Sequence, residues 1–233
     1  MIKDIFPVDK WNYENTSVLR DLPKEELALL YANTTEDIYR KGQVIFRCGS
    51  YPSGIFFIRT GKVKKYTVDK QGREQIIYVA NCGELIGYHA MLAEERYQDS
   101  AATLEDSTII FIPKEDFLNV LASSKFLSQR LLKTLSHEFS VFANCITLFA
   151  QRSVRERLAM QLVLMREKYK HDFVPGMEVE INMSREDLAS LVGTARENIL
   201  RILKDFKEEG ILVTKGRKIV IKDIHKLLEI ANH

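Results

Sequence analysis

The chain has 233 residues, is 45% hydrophobic and 28% charged, and carries a formal net charge of +2, the balance of a globular protein rather than a disordered one. No apolar run approaches the roughly 20 residues that cross a bilayer. The first fifteen residues, MIKDIFPVDKWNYEN, lack the basic start and apolar stretch of a secretory leader, and Cys48, Cys82 and Cys145 are odd in number, far apart and without a CxxC pair. These features predict a cytoplasmic protein with no membrane partner, disulfide framework or zinc site, and with charge so nearly balanced any nucleic-acid surface must be a local patch.

In chain order, VLRDLPKEELALLY predicts an amphipathic helix over 18–31, with Leu27, Leu30 and Tyr31 at helical spacing. From 38 to 111 the texture changes to short β-branched and aromatic runs, QVIFR, GIFFIRT, KVKKYTV, EQIIYVA and STIIFIP, separated by frequent glycines. That pattern predicts an antiparallel barrel or jelly roll, with Lys70-Gln71-Gly72 at a hairpin tip. After Pro113 the period becomes helical. Leu132, Leu135, Phe139, Phe142, Ile146 and Phe149 are spaced three and four apart, a heptad seam for pairing with a second copy. Such a stripe also serves a helix lying on its own barrel, but a helix this long outruns what the barrel can cover, so a homodimer is favoured. Ser153 and Glu156 form an S-x-x-E capping box for a new helix, and Pro175-Gly176 marks a loop.

The last stretch carries the chemistry. Ser184 and Asp187 open a short helix, REDLASLV, followed by Gly193 at a tight turn, and Thr194 with Glu197 predicts a second cap for ARENILRILKDFKEEG. Two helices joined by a glycine turn form a helix-turn-helix pattern. Ile199, Ile202, Leu203 and Phe206 make the inner face of the second helix, leaving Arg196, Glu197, Arg201 and Lys204 outside. An α-helix fits the DNA major groove, where Arg forks onto guanine O6 and N7 and Glu accepts from cytosine N4. A solvated charged helix would look similar, but ILVTKGRKIVI follows as a hairpin with Lys215, Arg217 and Lys218 at its tip. Between 194 and 222 the chain carries Arg196, Arg201, Lys204, Lys207, Lys215, Arg217, Lys218 and Lys222 against Glu197, Asp205, Glu208 and Glu209, a local positive excess suited to phosphates. Ser184, Thr194, Lys204, Lys215, Arg217 and Lys218 are the expected phosphate-contacting and positioning residues.

KGQVIFRCGSYPSGIFFIRTGKVKKY, GELIGYHAML and SREDLASLVGTARENILRILKDFKEEGIL, in that order, resemble the β-roll, ligand cassette and helix-turn-helix of the CRP/FNR family of bacterial transcription regulators. The resemblance implies an α+β fold: an antiparallel β-roll (jelly-roll) effector-sensing domain over 1–124, a dimerisation helix over 125–152 and a winged helix-turn-helix DNA-binding domain over 153–233. It implies a homodimer on a two-fold DNA site with TGTGA-like half-sites, base-reading by Arg196, Glu197 and Arg201, contact with RNA polymerase, and an effector pocket near Gly83, Glu84, Gly87, Tyr88, His89, Asp99, Ser100 and Phe142.

The pocket departs from the cAMP-binding pattern. Tyr88 stands where those members carry a Glu for ribose, Gln98-Asp99-Ser100 covers their phosphate-binding Arg–Ser pair, and Phe142-Ala143 replaces their Thr–Ser pair. A cyclic phosphate would meet Asp99 instead of Arg, so cAMP is not the expected effector. An iron–sulfur cluster is not expected either, since no cysteine precedes Cys48. His89 falls where the family's haem-based gas sensor carries an axial ligand, leaving haem as an alternative. A sensor acting mainly through protein–protein contact is another. The dispersed histidines and the lack of a nucleophile elbow or phosphate loop argue against an enzyme.

Overall fold

The computed structural model describes residues 7–13, 15–16, 18–170 and 178–232, so the loop predicted at Pro175-Gly176 lies outside the described residues. The first helix is shorter than its periodicity suggests: α1 spans Lys24–Leu30. Proline disfavours helical geometry in the residue before it; Pro23 takes the N-cap with ψ 142° and Asp21 has φ 54°. Val18, Leu19 and Leu22 still reach the core, without helical geometry.

All five predicted strand runs form: β2 (Val44–Phe46), β3 (Gly54–Thr60), β4 (Val63–Val68), β5 (Glu74–Ala80) and β8 (Ser107–Pro113), joined by β1 (Thr35–Tyr39), β6 (Leu85–Ile86) and β7 (Ser100–Thr103). They make two four-stranded sheets, ordered β1-β8-β3-β6 and β2-β7-β4-β5. The three additional strands escape the sequence pattern for separate reasons. β1 is an exposed, acidic edge strand, β6 has only two residues, and β7 is a fully buried run of small side chains. Phe46, Val63, Ala80 and Ala101 from one sheet meet Ile58, Ile86 and Ile109 from the other in a shared core, the arrangement of a sandwich whose strands alternate inward and outward side chains. Ile110 and Ile112, on the opposite face of β8, pack with helical residues in a second core.

That second core takes in α1, α2 (Tyr88–Leu92), α3 (Lys114–Ser123) and the start of α4 (Lys125–Gln151), through Leu30, Tyr88, Met91, Phe117, Val120, Leu127 and Leu131. Along α4, Leu127, Leu131, Thr134, Glu138, Val141 and Leu148 are buried, whereas Leu132, Phe139, Phe142 and Ile146 are exposed. Leu135 is half-buried against the second core, and Phe149 is also half-buried. The predicted stripe therefore divides, four of its six residues facing outward.

By its internal contacts the chain forms two compact units, one holding Tyr13–Thr67 with Ile77–Ser140 and the other built mainly from residue 141 onward, with Val68–Ile76. In the second unit α5 (Val154–Tyr169) begins at a complete capping box, in which the Ser153 hydroxyl accepts from the Glu156 N–H and the Glu156 carboxylate accepts from the Ser153 N–H. Leu158, Leu162, Val163 and Met165 are buried around it, and α8 (Ile224–Asn232) packs along it. The rest comprises α6 (Arg185–Val192), α7 (Arg196–Glu208) and a three-stranded sheet in the order β10 (Leu212–Lys215), β11 (Lys218–Ile221), β9 (Glu180–Asn182).

Candidate nucleic-acid interface

Local chemistry sets the angle between α6 and α7. The Ser184 hydroxyl accepts from the Asp187 N–H at 2.9 Å, capping α6. Gly193 then ends it with φ +69°, a left-handed conformation that glycine adopts without steric cost. The Gly193 and Thr194 N–H groups both bond the Ala189 carbonyl, so Thr194 closes α6 rather than opening α7. The predicted cap at Thr194–Glu197 accordingly does not form. Ala195 is the N-cap, with no side-chain bond, and the Thr194 hydroxyl instead accepts from Asn198 Nδ2 at 3.0 Å.

α7 is sharply two-sided. Ile199, Ile202, Leu203 and Phe206 are buried, while Arg196, Glu197, Leu200, Arg201 and Lys204 are exposed. Four of these outward residues are polar and differ in their contacts. Arg196 Nε lies 2.6 Å from Glu186 Oε1 on α6, Lys204 Nζ lies 3.7 Å from Glu208, and Glu197 and Arg201 are open to solvent. Leu200, 41% exposed, is an apolar member of this face that charge patterning did not single out.

Next to α7 stands the hairpin of β10 and β11. Lys215 and Lys218 pair across it, and Gly216-Arg217 forms the tip. Lys215, Arg217 and Lys218 are exposed, Lys218 being ion-paired with Glu180 on β9. Arg185, the first residue of α6, donates to the Gly216 and Arg217 carbonyls at 3.0 and 3.2 Å. It thereby ties the tip of the hairpin to the first turn of the helix-turn-helix, and burial holds its guanidinium below the ordinary arginine value. Neither this anchor nor Glu186 was legible from spacing, because each acts across a tertiary contact. Together, α7 and the hairpin offer a groove-sized helix with forked donors beside a cationic loop.

In the other unit a cavity of about 130 Å³ opens beside α2, lined by Lys65, Gly87, His89, Ala90, Ala93, Glu95, Tyr97, Gln98 and Asp99. Of the predicted pocket residues, Gly87, His89 and Asp99 line it. The others are engaged elsewhere: Glu84 accepts from the Asn81 N–H, Ser100 accepts from the Cys48 N–H, Gly83 donates to the Ile58 carbonyl and Phe142 is exposed on α4. Tyr88 is buried, and its hydroxyl donates to Glu138 Oε1 on α4 at 2.6 Å, while His89 Nε2 lies 2.8 Å from Glu138 Oε2. Burial pushes the Glu138 carboxyl up, but the bonds and charge of His89, with Tyr88 and Lys65, outweigh it and hold the group below its ordinary value. Burial and the Glu138 charge keep the Tyr88 hydroxyl protonated far above the ordinary phenol range.

This site does not fit a cyclic nucleotide. Its lysine, Lys65, is already paired with Asp99 at 2.9 Å, and Glu95 and Asp99 supply two carboxylates to the lining. Haem fits no better, because His89 Nε2, the nitrogen that would face the iron, is occupied by Glu138 Oε2 at 2.8 Å. Among the described residues no group of three or more His, Cys, Asp or Glu side chains is placed to hold a metal ion, and no helix is long and apolar enough to cross a membrane.

Comparison with known proteins agrees with this geometry. Residues 36–124 match the cyclic nucleotide-binding domain family, and residues 156–230 match the Crp-like helix-turn-helix domain family. The chain is 29% identical over 194 residues, 83% of its length, to the fumarate and nitrate reduction regulatory protein of Escherichia coli, covering 77% of that protein. It matches electron transport regulator A of Shewanella oneidensis to the same extent. Among solved structures, FixK2 from Bradyrhizobium japonicum superposes with a TM-score of 0.72 at 22% identity over 85% of this chain and 97% of that one. A protein from Eubacterium rectale described as a transcriptional regulator of the CRP/FNR family gives 0.73 at 21% identity over 94% of this chain and 100% of that one. A cyclic-nucleotide-type β-roll followed by a Crp-like helix-turn-helix, with its charged helix face and hairpin exposed, places the chain in the CRP/FNR family of DNA-binding transcription regulators.

Proposed function

We propose that the protein is a cytoplasmic, non-enzymatic homodimer that reads a two-fold DNA site through Arg196, Glu197 and Arg201. The observation that carries this reading is the division of α7 into a buried apolar face and an outward face bearing those three residues. Arg196 and Arg201 supply forked donors for guanine, and Glu197 an acceptor for cytosine N4. Ser184, Thr194, Lys204, Lys215, Arg217 and Lys218 serve the phosphate backbone, some directly and some by fixing the local fold. Ser184 and Thr194 act through the α6 cap and the turn, and Arg217 and Lys215 through direct attraction. The likeness to the family supports half-sites close to TGTGA and contact with RNA polymerase as parts of this proposal.

Homodimerisation is supported by the exposed heptad residues Leu132, Phe139, Phe142 and Ile146, with Leu135 and Phe149 flanking them. Residues 125–152 then act as the dimerisation helix between a sensing domain over 1–124 and a DNA-binding domain over 153–233. The cavity beside α2 is the effector site, for a small molecule other than a cyclic nucleotide. Its signal acts by shifting the population of two dimer arrangements about Ser153.

The test is a pair of substitutions with opposite signatures. Arg201→Ala should lose about 1–3 kcal/mol of discrimination at one base position. Arg217→Ala should weaken binding to all sequences alike and flatten the salt dependence by about one unit. Uniform weakening by Arg201→Ala would remove it from base reading.

A further inference from the structure

We propose that Glu186 is a positioning residue that biases Arg196 toward guanine and away from the phosphate backbone. This rests on the reading of Arg196 as a base-reading residue. Glu186 is the second residue of α6 and Arg196 the first of α7, so the helix-turn-helix turn itself brings them together. Their ion pair, 2.6 Å from Nε to Oε1, joins side chains that are 67% and 49% exposed respectively. Neither group is forced into the contact by burial, so the pair orients a side chain that would otherwise sample many rotamers at the protein surface.

Two consequences follow from which atoms meet. The carboxylate approaches Nε, which leaves the terminal Nη1/Nη2 edge of the guanidinium to make the parallel pair of bonds that guanine O6 and N7 accept. Phosphate attraction, by contrast, depends on net charge over several ångströms. A carboxylate in direct contact turns Arg196 from a full positive charge into a dipole at that range. The arginine therefore adds little to sequence-blind affinity while keeping its short-range, directional hydrogen bonds. The pair raises the ratio of specific to non-specific binding, which is the quantity that matters against a large excess of competing sites.

The experiment uses the full chain as wild type, Glu186→Gln, Glu186→Ala and Arg196→Ala. Fluorescence anisotropy is measured on a random-sequence duplex across a salt series, and on a duplex of two TGTGA half-sites with each base replaced in turn. Glu186→Gln keeps the shape and removes the charge. It should bind the random duplex roughly threefold more tightly and steepen the slope of log K against log salt by about one. The penalty for replacing the guanine read by Arg196 should fall at least about fivefold. Glu186→Ala, which removes the anchor as well, should lose still more of that penalty. An unchanged slope or an unchanged guanine penalty in Glu186→Gln overturns the proposal. Arg196→Ala separates the two levels: if it abolishes the guanine penalty while the Glu186 variants keep it, only the positioning role falls. If Arg196→Ala keeps the penalty, the base-reading assignment falls and the positioning role with it.

Discussion

Replacing Tyr88 by phenylalanine removes one oxygen from the polar contact that joins α2 to the buried Glu138 of α4. Glu138 is buried, 7% exposed, and its carboxylate is satisfied by the Tyr88 hydroxyl at 2.6 Å and by His89 at 2.8 Å. The same hydroxyl accepts from Asn15 Nδ2 at 3.3 Å, and Asn15 also bonds the Leu85 backbone on both sides through its Nδ2 and Oδ1. Tyr88→Phe leaves the ring in place, so no cavity opens. What is lost is a hydrogen bond to a buried charged acceptor, which costs about 2 kcal/mol, or roughly a thirtyfold change in the folding equilibrium. The assay is urea denaturation of wild type and variant, in which the midpoint should fall with the slope unchanged. A second arm varies pH. Because the folded-state value of Glu138 lies below its ordinary 4.5, its contribution is fully present above that ordinary value. It is lost as pH falls through the lower folded value. Glu138→Gln should therefore be less sensitive to acid below about pH 4.5 than wild type. Equal midpoints for Tyr88→Phe and wild type, or the same acid sensitivity in Glu138→Gln, would refute the view that this contact joins α2 to α4.

Three further outcomes are expected. Phe139→Glu, at a position 74% exposed, should leave the fold intact and yield a monomer in sedimentation equilibrium, with loss of binding to the two-fold site. Gly193→Ala should destabilise the unit built from residue 141 onward by at least about 1–2 kcal/mol in thermal or chemical denaturation. Its backbone sits at φ +69°, and the added Cβ would lie 3.0 Å from Gln75 Oε1 and 3.1 Å from the Phe149 ring. Ser153→Ala should cost about 1 kcal/mol of stability through loss of the α5 capping box, measured in the same way.

What could be read from the sequence was whatever depends on local periodicity. The alternating runs of β3, β4, β5 and β8 and the short run of β2 were visible because their side chains face a core, and α6 was legible to the residue because Ser184 and Gly193 punctuate both its ends. The helical stripe over 18–31 misled because Leu27, Leu30 and Tyr31 keep their spacing whether or not the residues before Pro23 are helical. Thr194 misled because one residue can serve either the end of α6 or the start of α7, and the carbonyl of Ala189 claims its N–H. The outward face of α7 was legible from its spacing. The partners that tune it were not, since Glu186, Arg185 and the carbonyls of Gly216 and Arg217 meet only through the tertiary fold. The same holds for the cavity beside α2. Asp99 was visible as an acidic residue where cAMP-binding members of the family carry their phosphate-binding pair, but its neutralisation by Lys65 on β4 was not.

If α7 reads sequence as one half of a symmetric pair, the DNA it selects must itself be symmetric. Bound duplexes are selected from a random DNA pool by the purified protein at physiological salt, with and without cell extract as a source of effector. The expected result is enrichment of a two-fold motif with TGTGA-like half-sites centred about one helical turn apart. Retention of DNA without any enriched motif under both conditions, or enrichment of a single unpaired half-site, would contradict that reading of α7.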